Sequence, residues 1–432
     1  MQSWIAAIES ALKGNLPLVI GYVLLALVAL QALLMVYARF RRLAAERRAR
    51  ELSHRRLELM VQTAMIQHQE AEQSKLVWNG YRKFTVAQKV CECEDVFSFY
   101  LKPHDGKPLP PFKPGQYLTF SLSLPGQSKP LVRCYSLSDC ARTDHYRVTI
   151  KRALPPPDAP DGKPGLVSSY FCDAVKQGDI LDVKAPGGHF YLDLDKERPV
   201  VLISGGVGVT PMVSMLNAIV ASGSKREVWF FFGARNRADH ILKEYMEKMA
   251  AQHDNVRLHV CYSRPGPDDV LGRDYQHAGR VTVDLMKQLL PSNNYDYFLC
   301  GPGAFMKSIT DDLAAWGVPD ANVFFEAFGP ATVKKAAPKA PTHEVPTAKI
   351  DVTFSRSGKT VPWRSEITSL LDLADESGVS IEAGCRAGNC GSCLVAIKSG
   401  GVEYVTTAGA TPEDGSCLVC ICKPKGNLVL DA

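Results

Sequence analysis

Cysteines near the carboxyl end of the chain have the spacing of ligands to an iron–sulfur cluster. Cys385, Cys390 and Cys393 follow a C-x4-C-x2-C pattern, and three more cysteines lie within residues 417–422. Four thiolates in this arrangement hold two irons and two bridging sulfides. Structural zinc favours paired C-x2-C knuckles, and the second pair is missing here. The spacing therefore predicts a [2Fe–2S] cluster, whose fourth ligand is Cys417, Cys420 or Cys422.

A second group of residues has the chemistry that a flavin requires. Arg133, Tyr135 and Ser136 follow one another in alternate-face order on a predicted strand. They would supply a cation for a pyrophosphate, an aromatic face for the ring system and a hydroxyl near its reactive nitrogen. Downstream, residues 165–168 open a helix that we predict over 169–176, and the N-terminus of a helix can bind phosphate. Together these features predict a flavin nucleotide site.

A glycine turn between a strand and a helix predicts a second nucleotide site. The apolar strand 201–204 runs into the glycines of 205–208, and Thr210-Pro211 suits the first turn of the following helix. Glycines at such a turn let the backbone approach a pyrophosphate. The turn departs from the G-x-G-x-x-G fingerprint, so it is not an ordinary Rossmann turn. Cys300-Gly-Pro302 follows another strand, at a sheet edge where a nicotinamide can bind.

The pattern of apolar residues divides the chain into domains that would position these groups. At 432 residues the chain is too long for one hydrophobic core. Short alternating runs predict an antiparallel β-barrel over 78–197, and apolar runs between helices predict a parallel α/β sheet over 198–330. Residues 331–348 carry three prolines and few large apolar side chains, which indicates a linker. A last compact domain follows over 349–432.

An apolar run at the amino end is long enough to cross a bilayer. Residues 16–38 are 23 in number, with Gln31 as the polar interruption, and as a helix they would extend roughly 34 Å. A short segment, 1–15, precedes the run, and 39–77 are predicted as a basic juxtamembrane helix. Because the positive charge follows the apolar run, a secretory signal peptide is disfavoured. We expect a single-pass anchor in the inner membrane, with the N-terminus outside and the other domains in the cytoplasm.

The net charge of +5 is concentrated in one stretch of the chain. Residues 39–56 contain eight arginines and two glutamates, a net charge of +6, which leaves −1 for the remainder. This balance argues against a nucleic-acid-binding surface on the folded domains. On the cytoplasmic side of a membrane, the thirteen cysteines indicate metal or redox chemistry rather than disulfides.

The order of the motifs resembles a known family. Arg-x-Tyr-Ser at 133–136, GGVGVTP at 205–211, Cys-Gly-Pro at 300–302 and Glu-x-Phe-Gly-Pro at 326–330 follow one another in the chain. This order resembles the ferredoxin–NADP reductase superfamily, closest to the reductase half of flavohaemoglobins, while the last domain resembles plant-type ferredoxins. The resemblance implies a multidomain protein with an FAD barrel, an α/β NAD(P) domain and an α+β ferredoxin-like (β-grasp) domain.

The resemblance also assigns roles to individual residues. Phe328 would cover the flavin face, Glu326 and Ser136 would lie near the reacting centre, and Cys300 would lie beside the nicotinamide. The residues expected around FAD are Tyr117, Arg133, Cys134, Tyr135, Ser136, Gly165, Val167, Ser168 and Phe328. Those expected around the dinucleotide are Gly206, Val207, Gly208, Val209, Thr210, Pro211, Ser263 and Arg264.

Two details of the sites follow from the same resemblance. In ferredoxins the last ligand lies two residues after a leucine and four before a proline, and Leu418 and Pro424 select Cys420 in that frame. In NADP(H)-specific relatives a Ser-Arg pair binds the 2′-phosphate, and Ser263-Arg264 occupies that place. Two acidic residues that follow, at 268 and 269, would repel this phosphate, so we favour NADH over NADPH.

These expectations converge on a membrane-anchored electron-transfer enzyme. Electrons would pass from NADH or NADPH to FAD, then to the [2Fe–2S] cluster, and finally to a redox protein at the membrane. We favour a membrane-associated oxygenase, hydroxylase or desaturase as that acceptor. A respiratory or quinone-linked electron-transfer subunit is the alternative, and a redox-responsive membrane adaptor is an alternative of another class.

Overall fold

The structure is a computed structural model that describes residue 4 and residues 16–127, 130–155, 162, 164–328, 350–364, 366–384, 386, 388, 391–405 and 412–432. The predicted linker 331–348 and two of the predicted cluster ligands, Cys385 and Cys390, therefore lie outside the described residues. The chain divides into two compact units, residues 1–75 and 76–432.

Of the described residues of the first unit, all except residue 4 belong to one helix. This helix, α1 (Leu16–Leu76), has 61 residues. After Gly21 it contains neither glycine nor proline, so nothing interrupts it between the predicted membrane span and the basic helix that follows. Apolar side chains along the span, such as Leu25 and Leu33, are exposed. Of the helices in the described residues, this one alone is long and apolar enough to cross a membrane.

Residues 82–187 form the antiparallel barrel that the sequence predicts. Its sheet has the strand order β4-β3-β6-β1-β2-β5, and an antiparallel bridge from Leu137 to Val148 joins the two edges. One helix lies between the last two strands. The elements are β1 (Arg82–Cys93), β2 (Val96–Pro103), β3 (Tyr117–Leu122), β4 (Leu131–Ser136), β5 (Tyr146–Lys151), α2 (Leu166–Asp173) and β6 (Ile180–Gly187).

The next domain is a six-stranded sheet in which every pair of neighbours is parallel, in the order β10-β9-β8-β7-β11-β12. A hydrophobic core lies on each face of the sheet. The carboxyl ends of its strands share one edge, where ligands bind in α/β sheets. The elements are β7 (Val200–Gly205), α3 (Val209–Ala221), β8 (Val228–Ala234), α4 (Lys243–Gln252), β9 (Val256–Tyr262), β10 (His277–Ala278), α5 (Val283–Leu289), β11 (Asp296–Gly301), α6 (Gly303–Ala315) and β12 (Val323–Ala327).

A buried aspartate fastens the barrel to the α/β domain. Asn217 of α3 donates a hydrogen bond of 2.8 Å to the Asp139 carboxylate, and Ser214 donates one of 2.7 Å to the Asp139 carbonyl. Arg142 completes the shell with a 3.1 Å ion pair to the same carboxylate. Because these groups are hydrogen-bonded, their burial is tolerated. The contacts fix the first helix of the α/β domain against the barrel.

The last domain packs one helix against a mixed sheet, as the β-grasp prediction requires. Five strands follow the order β14-β13-β19-β15-β17, and β16 pairs with β18 in a small second sheet. β13 and β19 run parallel while β13 and β14 run antiparallel. The elements are β13 (Asp351–Phe354), β14 (Lys359–Pro362), α7 (Leu370–Glu376), β15 (Leu394–Ser399), β16 (Val402–Tyr404), β17 (Ser416–Leu418), β18 (Cys422–Pro424) and β19 (Leu428–Leu430).

One predicted element has the wrong boundaries. The helix expected over 169–176 is α2, which begins at Leu166 and ends at Asp173. Its N-cap is Gly165, which has no side chain to accept a hydrogen bond from the first turn. The Ser168 hydroxyl instead accepts a hydrogen bond from the Ala153 backbone N–H, 3.0 Å away, and donates to the Gly165 carbonyl. A serine that suits a cap position therefore lies inside the first turn.

Candidate functional site

A cavity of about 400 Å³ lies where three domains meet. Residues from the barrel, the α/β domain and the ferredoxin domain form its wall. This single cavity contains every residue that the sequence assigned to FAD. The lining residues are Tyr117, Arg133, Cys134, Tyr135, Ser136, Thr149, Ile150, Lys151, Ala153, Gly165, Leu166, Val167, Ser168, Val207, Thr210, Glu326, Phe328, Gly384 and Arg386.

Strand β4 supplies the cavity with a cation, an aromatic ring and a hydroxyl. Arg133 is exposed and Ser136 is buried. The ring of Tyr135 is held edge-on by Phe120 and Phe171, with centroids 5.8 Å and 5.3 Å away. Such packing fixes the ring without covering the whole of it. Burial raises the pKa of Tyr135, so the side chain stays a neutral phenol.

The N-terminus of α2 lies in the same cavity wall, through Gly165, Val167 and Ser168, and could hold a phosphate. Its first backbone N–H groups have no side-chain cap, because Gly165 precedes them. The Ser169 hydroxyl in the first turn is buried without a hydrogen-bond partner among the described residues. Orphan donors and the positive end of the helix dipole favour a bound anion. These features fit the pyrophosphate of a flavin nucleotide.

The glycine turn after β7 passes very close to strand β11. A side chain at Gly208 would place its Cβ only 2.2 Å from the carbonyl oxygen of Cys300, so no larger residue fits. The turn is a short 3-10 segment, Gly206–Gly208, and α3 begins directly after it at Val209. Thr210 donates to the Val207 carbonyl across 3.0 Å. The prediction that Thr210 and Pro211 belong to the first helical turn is confirmed.

A buried carboxyl group lies where the barrel meets the carboxyl edge of the parallel sheet. Glu326 on β12 accepts a 3.4 Å hydrogen bond from the Ser136 hydroxyl. Burial raises the pKa of Glu326 to about 8, with the Ser136 hydrogen bond opposing the rise. Glu326 is the register partner of Cys300 on β11, and burial also raises the pKa of that thiol. The half-exposed ring of Phe328 follows on the cavity wall.

The residues assigned to the dinucleotide are distributed along the carboxyl edge of the parallel sheet. Val207 and Thr210 line the cavity, whereas Gly206, Gly208, Val209, Pro211 and Cys300 are absent from its described lining. Ser263 and Arg264 follow β9, two strands from β7. Arg264 is exposed. The carboxylate of Asp269 is turned into its own loop, where it accepts the Gly266 N–H across 2.7 Å.

The sulfur atoms of two predicted cluster ligands lie side by side. Cys393 Sγ and Cys420 Sγ are 3.1 Å apart in the buried part of the ferredoxin domain. Cys417 and Cys422 are fully buried within its hydrophobic core. Gly388, between the other two predicted ligands in sequence, has a φ of +76°, and a Cβ there would lie 2.4 Å from Ile421. A tight loop of this kind suits the wrapping of a cluster.

The structure adds cavity residues that the sequence did not reveal. Thr149 and Lys151 come from β5, which pairs with β2. Gly384 and Arg386 come from the ferredoxin domain and flank Cys385 in sequence. Arg386 has a φ of +53° and donates to the Asp375 carboxylate across 2.6 Å. The proximity of Arg386 to a predicted ligand was the available signal, but its position by the flavin cavity depends on domain docking.

Comparison with protein families matches all three domains. Residues 83–191 match the oxidoreductase FAD-binding domain, and residues 202–311 match the oxidoreductase NAD-binding domain. Residues 352–425 match the 2Fe-2S iron-sulfur cluster binding domain. The flavohaem-like FAD/NAD binding domain of a nitric oxide dioxygenase from Vibrio cholerae is 34% identical, with a TM-score of 0.52, and the alignment covers 58% of this chain and 100% of that one. The chain belongs to the ferredoxin reductase-like flavoproteins.

Alignments with two other relatives show how much of this reductase is similar to known proteins. A flavohaemoprotein of Halalkalibacterium halodurans is 40% identical over 274 residues, which are 63% of this chain and 66% of the relative, just under two thirds. Phthalate dioxygenase reductase, described as a modular structure for electron transfer from pyridine nucleotides to [2Fe-2S], is 27% identical with a TM-score of 0.51. That match covers 82% of this chain and 98% of the other. It includes all three domains of the second unit.

The reductase is an NAD(P)H-dependent flavin and iron–sulfur oxidoreductase. Its domains bind NAD(P)H, FAD and a [2Fe–2S] cluster, and electrons pass from NAD(P)H to FAD and then to the cluster. A bound flavin supplies the chemistry that couples a two-electron hydride donor to a one-electron cluster. The protein provides the cavity, the uncapped helix end at Gly165 and the buried Glu326–Ser136 pair.

Proposed function

We propose that this reductase is anchored in a membrane and delivers electrons from NAD(P)H, through FAD and the cluster, to a protein acceptor in or at that membrane. One observation carries the proposal. The FAD barrel, the α/β domain and the ferredoxin domain all contribute to one cavity wall, through residues such as Tyr135, Thr210 and Arg386. A shared wall supports an arrangement in which the three redox sites are neighbours, as serial electron transfer requires.

For the flavin, we assign Tyr135 and Tyr117 to the ring system and Arg133, Gly165 and Ser168 to the phosphates. The helix end at Gly165 and the exposed Arg133 support the phosphate assignment. Ser136 places a hydroxyl at the reacting end of the cavity, and this hydroxyl donates a hydrogen bond to the Glu326 carboxyl group. Cys134 and Val167 complete the wall. Phe328 excludes water from the place where the nicotinamide must enter.

For the dinucleotide, we assign the turn of residues 206–211 to the pyrophosphate. The close approach of Gly208 to Cys300 supports this assignment, since only a bare backbone can lie there. Cys300 belongs to the edge that faces the nicotinamide. Arg264 is the exposed cation that would meet a 2′-phosphate, while the acidic residues at 268 and 269 disfavour one. We therefore favour NADH as the physiological donor.

For the cluster, we assign Cys385, Cys390, Cys393 and Cys420 as ligands. The separation of 3.1 Å between the sulfurs of Cys393 and Cys420 supports the choice of Cys420. Both sulfurs are near enough for a compact cluster to bring them under common ligation. Cys417 and Cys422 then serve as buried thiols of the core.

For the membrane, we propose that residues 16–38 of α1 span the bilayer with the N-terminus outside. The exposed apolar side chains of this segment support the span, and the arginines of 39–56 support the orientation. Fractionation of cells should recover the protein with inner membranes. A high-salt wash should not release the protein from them. In right-side-out vesicles the ferredoxin domain should withstand protease, and it should be cut when the vesicles are opened.

For the acceptor, we favour a membrane-associated oxygenase, hydroxylase or desaturase. The structural match to phthalate dioxygenase reductase over all three domains supports an oxygenase-type partner. A respiratory or quinone-linked acceptor is second, because the anchor also suits a lipid-soluble carrier. A turnover assay separates both from a redox-responsive adaptor. NADH-driven reduction of cytochrome c at many turnovers per second supports the enzyme, and reduction slower than one turnover per minute supports the adaptor.

A further inference from the structure

A charged contact joins the ferredoxin domain to the FAD barrel. Glu382 Oε1 accepts hydrogen bonds from Tyr81 Oη, 2.9 Å away, and from Lys184 Nζ, 2.7 Å away. Lys184 also lies over the ring of Tyr81, with its nitrogen 5.0 Å from the centroid. One carboxylate of the ferredoxin domain is therefore held by two groups of the barrel. Lys184 belongs to β6, and Tyr81 lies immediately before β1.

The position of Glu382 along the chain gives this contact a consequence. It lies three residues before Cys385 in sequence. Gly384 and Arg386, the two neighbours of Cys385, line the flavin cavity. The segment that carries a predicted cluster ligand is thus fastened to the barrel at one end and reaches the flavin cavity at the other. None of Tyr81, Lys184 and Glu382 belongs to the described lining of the cavity.

We infer that Glu382 is a positioning residue, which docks the ferredoxin domain on the barrel so that electrons pass from the flavin site to the cluster. The inference rests on the proposed cluster ligands and goes beyond them, because it concerns docking and not ligation. The linker predicted over 331–348 has 18 residues, and a linker of that length would let its ends spread roughly 20–25 Å. Tunnelling between cofactors needs a shorter and better-defined separation, so a docking contact has to select one arrangement.

The solvent exposure of the contact determines how it responds to salt. The side chains of Lys184 and Glu382 are 30% and 47% exposed. An ion pair this exposed is screened by added salt. Internal electron transfer should therefore slow as ionic strength rises, and a variant without the charge pair should lose most of that dependence.

The test measures flavin and cluster reduction separately in the full-length protein. Anaerobic rapid mixing with NADH should give a fast loss of flavin absorbance that is unchanged in Glu382→Lys, since flavin reduction does not use this contact. Cluster reduction should slow roughly 5-fold in Glu382→Lys and in Lys184→Glu, each of which sets like charges together. The double variant, which restores the pair with reversed charges, should recover most of the wild-type rate.

A matched control lies in the same domain. Glu376 pairs with Arg364 inside the ferredoxin domain, so Glu376→Lys should leave cluster reduction at the wild-type rate. The cluster EPR signal of every variant shows whether the ferredoxin domain has kept its cluster. Loss of the signal in Glu382→Lys would overturn the inference, because Glu382 would then act within its own domain. Unchanged cluster reduction in Glu382→Lys, or a double variant as slow as the singles, would also overturn it. A full EPR signal in those samples would leave the cluster assignment intact.

Discussion

Ser136 and Glu326, which are 190 residues apart in the chain, are joined by a hydrogen bond of 3.4 Å at the meeting point of the barrel and the α/β domain. Ser136 ends strand β4 of the barrel, and Glu326 lies on β12 at the edge of the parallel sheet. Both side chains line the flavin cavity. The pair therefore joins the barrel to the α/β domain through one buried carboxyl group at the cavity.

The ionisation of Glu326 predicts a pH dependence of stability. Burial raises the pKa of Glu326 from 4.5 to about 8, so the folded protein favours the protonated carboxyl. The stabilisation from this group is complete below pH 4.5 and is lost as the pH rises through about 8. Glu326→Gln should abolish this loss. Flavin-free wild-type protein should therefore unfold at a lower temperature than the variant at pH 9, and at a similar temperature at pH 5.

A second variant checks the sign of this effect. The Ser136 hydrogen bond lowers the pKa of Glu326 against the effect of burial. Ser136→Ala should raise that pKa further and extend the loss of stability to higher pH. In a protein of this size each kcal/mol of unfolding free energy that is lost lowers the thermal midpoint by about 2–4 °C. If the difference in unfolding temperature between wild type and Glu326→Gln stayed constant from pH 5 to pH 9, the raised pKa of Glu326 would be refuted.

The contact between Gly208 and Cys300 predicts that the glycine turn cannot accept a side chain. Gly208→Ala would place a Cβ 2.2 Å from a backbone oxygen, which cannot turn aside. We expect a loss of about 1–3 kcal/mol in stability together with weaker binding of NAD(P)H. Gly266→Ala is the control in the same domain, because its nearest neighbour lies 3.6 Å away in ordinary contact. Equal thermal midpoints and equal nucleotide affinities for the two variants would contradict the proposed role.

The cluster assignment predicts different results for neighbouring cysteines. Cys420→Ala should abolish the visible absorbance of the cluster and its reduced-state EPR signal, because it removes one of four ligands. Cys417→Ala and Cys422→Ala, which alter buried thiols of the core, should keep both signals at some cost in stability. An intact cluster in the Cys420 variant would refute the choice of fourth ligand.

Nucleotide preference provides a test at the end of β9. If Arg264 binds a 2′-phosphate, Arg264→Ala should raise the apparent KM for NADPH and spare that for NADH. An arginine–phosphate contact contributes about 1.5–3 kcal/mol, or roughly 10- to 150-fold. Initial rates with both nucleotides give the comparison. A strong wild-type preference for NADPH that disappears in this variant would show that our choice of NADH is wrong.

Local sequence patterns predicted the elements but not the contacts between them. The strand predicted over 201–204 lies within β7 (Val200–Gly205), because the apolar character of its residues is a local property. The helix at Gly165 was placed three residues late, because Ser168 bonds to Ala153, which is distant in sequence. No local pattern reports such a partner.

The same limit applies to the candidate site. Arg133, Tyr135 and Ser136 lie together on one strand, so their motif could be read directly from the sequence. The positions of Gly384 and Arg386 on the cavity wall depend on docking across a linker. Periodicity carries no information about that docking. The Ser136–Glu326 hydrogen bond joins two domains in the same way.

If the proposed route is correct, electrons reach the cluster only through the flavin. The most direct measurement is the cluster EPR signal after anaerobic addition of NADH to two samples of the full-length protein, one complete and one stripped of flavin. We expect a strong reduced-cluster signal in the complete protein, none in the stripped protein, and recovery of the signal when FAD is added back. The proposed route would be contradicted by a reduced cluster in the flavin-free sample. It would also be contradicted by an oxidised cluster beside fully reduced flavin in the complete protein.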